Sequence, residues 1–147
     1  MAEPEEFIED LRRRMAASDF HRWIGIELVD ARPGEVDLVL EAEPRHLNLQ
    51  GLLHGGMIAT LADTATGLAV RTKLEPGTRH VTVQMDVQFL SPGRPGRILA
   101  TGTVVRAGRQ VAHTEARITD SAGKLLATAH STVAIMKDRQ GAAGPGQ

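Results

Sequence analysis

The sequence contains no cysteine, and this absence excludes disulfide bonds, metal sites with thiolate ligands and catalysis by a cysteine nucleophile. An excess of charge of one sign is missing as well, because 17 lysines and arginines stand against 18 aspartates and glutamates. A nucleic-acid-binding protein usually presents a basic face. The formal net charge of −1 therefore argues against a nucleic-acid partner.

Signals for export or membrane insertion are also lacking. The first ten residues, MAEPEEFIED, are acidic where a signal peptide would be basic, and no long apolar stretch follows them. The most apolar segment, residues 55–70, has too few unbroken apolar residues to cross a membrane. These features predict a soluble, cytoplasmic protein that does not use a membrane as a partner.

Several catalytic and cofactor motifs are absent. The chain has no G-x-S-x-G nucleophile elbow, no phosphate-binding P-loop and no dinucleotide fingerprint. Its six histidines, at positions 21, 46, 54, 80, 113 and 130, do not have the spacing of metal ligands. We therefore expect neither a metal nor a cofactor, so that any carbonyl chemistry would depend on a carboxylate and on backbone N–H donors.

The pattern of apolar residues indicates the order of the elements. An amphipathic helix is predicted over residues 5–18, and two strands around a Pro-Gly turn over residues 25–43. Residues 55–70 have the only long helical pattern in the centre of the chain. Four alternating runs, separated by turn-forming residues, then predict strands at 80–90, 97–107, 110–119 and 124–136.

This order predicts an α+β fold of one domain, for which 147 residues suffice. Short turns join antiparallel strands, and a sheet with a single apolar helix can bury both by curving around the helix. The exposed edges of such a sheet invite pairing with a second subunit. We expect an N-terminal helix and cap segment over residues 1–24, the main domain over residues 25–136 and a disordered tail over residues 137–147.

One carboxylate interrupts the apolar central helix. Residues 55–70 contain a single formal charge, that of Asp63, and a buried acid is costly unless it is hydrogen-bonded or useful. On a helical wheel it shares its face with small residues that leave space for a cleft: Ala59, Thr60, Thr66, Gly67 and Val70. Asp63 is therefore a candidate catalytic residue. The alternatives are a local hydrogen bond to Thr60 or Thr66, or a position facing solvent.

The tripeptide His54-Gly55-Gly56 begins this helix. The first turn of a helix presents unpaired N–H groups, and glycines allow a ligand carbonyl to approach them, which together suit an oxyanion hole. The alternative is a tight turn permitted by glycine, with His54 as an ordinary loop residue. Gly55 and Asp63 are eight residues apart, or about 12 Å along a helix. If both act on one carbonyl, they must come from different copies of the chain, which predicts a site shared across a homodimer.

These residues carry a resemblance to a known family. The segments NLQGLLHGG (48–56), ATLADTATGLA (59–69) and VTVQMDVQFLSPG (81–93) resemble the hotdog-fold acyl-CoA thioesterases of the phenylacetate-pathway (PaaI-like) and 4-hydroxybenzoyl-CoA thioesterase type. The resemblance extends over residues 25–136. It implies a curved antiparallel sheet wrapped around one long central helix, and hydrolysis of an acyl-CoA thioester to free acid and CoA.

The resemblance also implies a role for each matching position. Asp63 would activate water or attack the thioester directly, and the N–H of Gly55 would polarise the thioester carbonyl. Asn48 and His54 would order the loop and position the acyl group or the water. Thr82 would help to hold the nucleophilic water. In this family the counterparts of Asp63 and Thr82 act with those of Asn48, His54 and Gly55 in the neighbouring subunit.

Coenzyme A would lie across the subunit surface, where Arg94, Arg97 and Arg109 are candidates to meet its phosphates. The resemblance implies a homodimer, and a homotetramer as a pair of dimers. The N-terminal segment with Phe20 and Trp23 would cap the acyl pocket or pack onto the sheet. Two other functions remain open at this point: an acyl-CoA hydratase or dehydratase, and a non-catalytic module that binds acyl-CoA.

Overall fold

The computed structural model describes residues 3–137, which form a mixed structure of helices and strands. The helices are α1 (Pro4–Ala17), α2 (Asp19–Ile24) and α3 (Gly55–Arg71), with one 3₁₀ turn at Pro44–His46. The strands are β1 (Ile26–Arg32), β2 (Glu35–Ala42), β3 (Thr78–Phe89), β4 (Gly96–Ala107), β5 (Val111–Asp120) and β6 (Leu125–Lys137). Every element predicted from the sequence between residues 5 and 136 is thereby confirmed within a few residues at its ends.

All six strands belong to one antiparallel sheet in the order β1-β2-β4-β5-β6-β3. Helix α3 packs against this sheet and contacts all six strands. The α+β fold with a sheet around one long helix is therefore confirmed. Of the tail predicted to be disordered, Lys137 is the last residue of β6 and the other residues lie outside the described part of the chain.

Apolar side chains on one side of α3 hold it against the sheet. Leu61, Ala62, Ala65 and Ala69 are completely buried. They meet the inward-facing side chains of four strands, among them Leu38, Leu40, Ile98, Ile118 and Ala129. A Cβ atom on Gly102 of β4 would lie 2.3 Å from the carbonyl of Ala65, so the helix rests almost directly on the backbone of the sheet.

Helix α1 covers the outer edge of β1. Leu11 and Met15 are buried in the core, and the guanidinium of Arg12 donates hydrogen bonds to the carbonyls of Leu28 and Val29. The aromatic side chains of α2 are not buried in this way: Phe20 is 51% exposed and Trp23 is 71% exposed. Packing of these two rings onto the sheet, one of the two alternatives for the N-terminal segment, does not occur in the single chain. No helix within residues 3–137 is long and apolar enough to cross a membrane.

Strand β3 forms the other edge of the sheet, and within residues 3–137 it pairs only with β6. The register shifts between Thr82 and Gln84, so Val83 forms a bulge in the strand. Val81 and Val83 are 50% and 61% exposed. A long edge strand with apolar side chains and unpaired backbone groups is a surface that native proteins usually cover.

Candidate active site

The start of α3 leaves one backbone donor without an acceptor. The side chain of His54 is the N-cap: its Nδ1 accepts the N–H of Gly56 at 2.8 Å, and its carbonyl accepts the N–H of Met57 at 2.9 Å. Among residues 3–137, no acceptor takes the N–H of Gly55. This donor lies at the positive end of the helix dipole, where a developing negative charge is stabilised.

The loop before α3 is held by its own hydrogen bonds. The Oδ1 atom of Asn48 accepts the N–H groups of Gln50 and Leu52 at 2.9 and 3.1 Å, which closes a tight turn. Leu53 donates its N–H to the carbonyl of Gly93 at 2.8 Å, and thereby joins this loop to the β3–β4 connection. Asn48, His54 and Gly55 therefore form one connected group in a single chain.

His46 stabilises the group of Asn48, His54 and Gly55 through hydrogen bonds, a role that the sequence did not suggest. It is 3% exposed, and its Nδ1 accepts the N–H of Glu43 at 2.9 Å while its Nε2 contacts the carbonyl of Ile24 at 2.6 Å. Its own carbonyl accepts the N–H of His54 at 2.9 Å. This histidine is a structural link between the 3₁₀ turn and the start of α3.

Asp63 and Thr82 form a second group. The hydroxyl of Thr82 on β3 donates a hydrogen bond of 2.8 Å to Oδ1 of Asp63 on α3. Asp63 is exposed in the single chain, which agrees with the alternative of a position facing solvent and not with the buried position that the apolar pattern of its helix suggested. The hydroxyls of Thr60 and Thr66 donate instead to the backbone carbonyls of the preceding helical turn, so neither forms the predicted alternative bond to the carboxylate.

The face of α3 around Asp63 also differs in detail from the helical wheel. Thr66 and Val70 turn towards the sheet and are almost completely buried, whereas Thr60 and Gly67 remain at the surface beside Asp63. The hydroxyl of Thr66 takes part in a buried polar contact with that of Ser131 at 3.2 Å. The side of α3 that faces away from the sheet therefore still has small residues beside the Asp63 carboxylate, and small residues leave space for a cleft.

The two groups are separate in one chain. Because α3 is continuous from Gly55 to Arg71, the eight-residue spacing between Gly55 and Asp63 corresponds to about 12 Å. A carbonyl oxygen that accepts from the N–H of Gly55 is therefore out of reach of a water held by Asp63 of the same chain. The two groups therefore lie apart on one chain, one at the start of α3 and one at its middle.

The three arginines proposed for coenzyme A do not lie together. Arg94 follows Gly93 and so lies near the start of α3, and Arg97 forms an ion pair with Glu41 at 3.2 Å. Arg109 lies in the turn between β4 and β5, at the other end of the helix. There it lines an open cavity of about 300 Å³ together with Lys73 and Lys137, two cations that the sequence analysis missed. Within residues 3–137, no three acidic or histidine side chains are grouped as a metal site.

Known proteins are similar to this chain in sequence and in fold. The sequence model of the thioesterase superfamily matches residues 50–127 of the chain. Over 127 residues the chain is 36% identical to acyl-coenzyme A thioesterase 13 of Homo sapiens, a match that covers 84% of this chain and 90% of the human protein. It is 31% identical over 134 residues to a medium/long-chain acyl-CoA thioesterase of Salmonella typhimurium, which covers 79% of this chain and 84% of that protein.

The solved structures agree with these relatives. The crystal structure of zebrafish thioesterase superfamily member 2 superimposes with a TM-score of 0.79 at 33% sequence identity, covering 91% of this chain and 99% of that one. The resemblance noted in the sequence is therefore confirmed, and the chain belongs to the thioesterase superfamily with its hotdog fold.

Proposed function

We propose that this chain is an acyl-CoA thioesterase that hydrolyses its substrate at a site shared between two subunits. The observation that carries the proposal is the pair of half-sites on α3. A carboxylate held by Thr82 and an unpaired N–H at Gly55 are the two groups that thioester hydrolysis needs, but about 12 Å of helix separates them. The related thioesterases from Homo sapiens and Salmonella typhimurium support acyl-CoA as the substrate class.

A homodimer with twofold symmetry would bring Asp63 of one subunit close to Gly55 of the other. If two copies of α3 lie side by side and antiparallel, with the axis midway between Gly55 and Asp63, then Asp63 faces Gly55 of the partner subunit, and the reverse contact forms a second site. The open edge of β3 is the natural place for this pairing, because α1 and Arg12 already cover the edge of β1. The dimer is the smallest complete unit, and two dimers forming a tetramer would hold four sites.

The chemistry follows from this arrangement. Asp63 accepts a proton from water while the water oxygen adds to the thioester carbon. The carbonyl oxygen becomes an oxyanion and accepts a hydrogen bond from the N–H of Gly55 of the partner subunit. As the oxyanion collapses, the C–S bond breaks and its electron pair leaves with the sulfur of CoA, which takes the proton from Asp63. In the alternative route, the Asp63 carboxylate adds to the thioester carbon, the C–S bond breaks with its electron pair leaving on the sulfur of CoA, and water hydrolyses the resulting mixed anhydride to the free acid and the Asp63 carboxylate.

Thr82 and the loop hold the reacting groups. The hydrogen bond from Thr82 occupies Oδ1 of Asp63 and leaves Oδ2 for the water. Asn48 fixes the loop that carries the partner's donor, and His54 removes the competing N–H of Gly56 by accepting it. For the phosphates of CoA, we favour Arg94 near the helix start and Arg109 with Lys73 and Lys137 at the helix end, since Arg97 is engaged with Glu41.

The test replaces the carboxylate with its closest isostere. Asp63→Asn is expected to lower kcat for acyl-CoA hydrolysis by about 10²-fold or more, because the variant loses the proton acceptor and keeps the shape. Free thiol release from a panel of aryl- and alkyl-CoA thioesters measures the rate. The matched control is Asp86→Asn, which changes an exposed carboxylate on the outer face of β3 and should retain parental activity.

Three results would contradict the proposal. A folded Asp63→Asn protein with near-parental turnover would show that the carboxylate does not take part. A parent protein that binds the thioesters without releasing thiol would be a binding module. Hydration of crotonyl-CoA without thiol release would make it a hydratase.

A further inference from the structure

His80 is a histidine that none of the roles above uses, although it lies beside the proposed site. It precedes Thr82 by two residues on β3, so both side chains point to the same face of the strand, towards α3. Its ring rests against the helix at Gly67, where a Cβ atom would lie 3.7 Å from Nε2. Gly67 is one helical turn beyond Asp63, and His80 is half-buried there.

The groups around His80 shift its pKa in opposite directions. Burial lowers the pKa of His80 below its usual value, and the neighbouring Arg71 lowers it further. The carbonyl of Gly67 and the carboxylate of Asp63 act in the other direction with smaller effect. On β6, the residue opposite is the apolar Ile135, and Arg14 of α1 adds positive charge near Arg71. The imidazole is therefore neutral at neutral pH, between a cation and the proposed catalytic carboxylate.

Protonation would change how this ring interacts with the site. A neutral ring packs on the Gly67 turn and helps to keep β3 against α3, where Thr82 reaches Asp63. A protonated ring is repelled by Arg71 and attracted to Asp63. It would then compete with the attacking water for the carboxylate and weaken the carboxylate as a proton acceptor.

We propose that His80 is a positioning residue of the active site, whose neutral form supports the Asp63–Thr82 pair and whose protonated form inactivates it. This inference rests on the proposed function, because it assigns His80 to the same half-site. The reaction then requires His80 to be free of its proton. The loss of activity towards low pH should accordingly include the ionisation of His80.

The pH dependence of kcat/KM tests this assignment with the full-length protein. Between about pH 4.5 and pH 8 the parent should lose activity towards low pH as the His80 imidazole takes up its proton. His80→Gln keeps a polar side chain but does not titrate in this range. It should retain activity within a few fold at pH 8, and its loss of activity should begin at lower pH than that of the parent, because the ionisation of His80 is removed. A pH profile that superimposes on that of the parent would overturn the proposal.

His130→Gln is the matched control. His130 lies on the outer face of the sheet, with each ring nitrogen 3.9 Å from a carboxylate oxygen of Asp86 or Glu115. It is remote from α3, so its replacement should leave the pH profile unchanged. An equal shift in both histidine variants would mean that general surface charge, and not the position of His80, sets the acid limb.

A measurement without turnover separates this inference from the proposed function. NMR titration of the His80 imidazole should give a pKa below the usual value, and Asp63→Asn should lower it further, because the substitution removes the charge that favours the protonated ring. An unchanged His80 pKa in the Asp63→Asn protein would overturn the coupling. If no thioester is hydrolysed, the proposed function fails, and this titration still decides whether His80 and Asp63 interact.

Discussion

Gly102 of β4 lies directly beneath Ala65 of α3, so close that a Cβ atom at position 102 would stand 2.3 Å from the carbonyl carbon and oxygen of Ala65. Both partners of this contact belong to the backbone, and neither can move aside as a flexible side chain would. The contact therefore sets how closely the central helix approaches the sheet. Ala62, Ala65 and Ala69 continue the same close packing along the helix.

This contact predicts opposite effects for two glycine substitutions. Gly102→Ala should lower the free energy of unfolding by about 2 kcal/mol, because the new methyl group pushes α3 away from β4. Gly67→Ala lies on the open side of the same helix, and among the described residues its new methyl group meets only the His80 ring, at an ordinary contact distance of 3.7 Å. It should raise the free energy of unfolding by up to about 1 kcal/mol, since alanine favours helix more than glycine does.

Denaturant unfolding of the two variants and the parent measures both effects. If Gly102→Ala and the parent have the same free energy of unfolding, α3 can move away from β4 without loss of stability. The alanine-lined interface would then be less tightly packed than the contact indicates.

The substitution Gly55→Pro can remove the unpaired N–H of Gly55 with little other change to the helix. Proline has no N–H and is favoured at the first position of a helix. His54, with φ −61° and ψ 134°, already has the extended conformation that a residue before proline prefers. Gly55→Pro should therefore keep the fold and lower kcat by about 10²-fold or more, through the loss of the oxyanion donor.

Gly55→Ala is the control for the added carbon atoms. In both variants a Cβ would lie 3.3 Å from the Phe89 ring, and this ring is 58% exposed and free to turn aside. Only the proline variant loses the N–H, so Gly55→Ala should retain most of the parental kcat. Similar losses in the two variants would attribute the defect to crowding against Phe89 and argue against the oxyanion role.

The local elements of this fold could be predicted because their patterns are periodic. Alternation of apolar and polar residues is visible within each strand, and α3 is the one long apolar helix among them. The His-Gly-Gly start of α3 and its single carboxylate could likewise be recognised, because each depends only on residues that are close together in the sequence. The distance between Gly55 and Asp63 followed from helix geometry alone, and it already predicted a second subunit if both groups act on one carbonyl.

Contacts between distant segments could not be predicted in this way. Thr82 reaches Asp63 across 19 residues, and this depends on the strand order that places β3 at the edge and on the bulge that follows Thr82. The position of His80 over Gly67 depends on the same register. Asp63 was expected to be buried because its helix is apolar, but the sheet covers only one side of α3 and leaves the carboxylate at the surface.

Subunit complementation tests the shared site most directly. Homodimers of Asp63→Asn and homodimers of Gly55→Pro each have two defective sites. In a mixed dimer, one site combines both defects, while the other combines Asp63 of one subunit with Gly55 of its partner and is intact. Random exchange of equal amounts should therefore restore about a quarter of the parental activity per subunit, since half of the dimers are mixed and each has one working site.

The control for this experiment mixes Asp63→Asn with the double variant that carries both substitutions. Every possible dimer in that mixture lacks Asp63 in both sites, so exchange should restore nothing. Recovery only in the first mixture would require that the two groups act across the interface. If the first mixture also stays inactive although mass spectrometry detects mixed dimers, each site would have to draw Gly55 and Asp63 from one chain, which about 12 Å of continuous helix opposes.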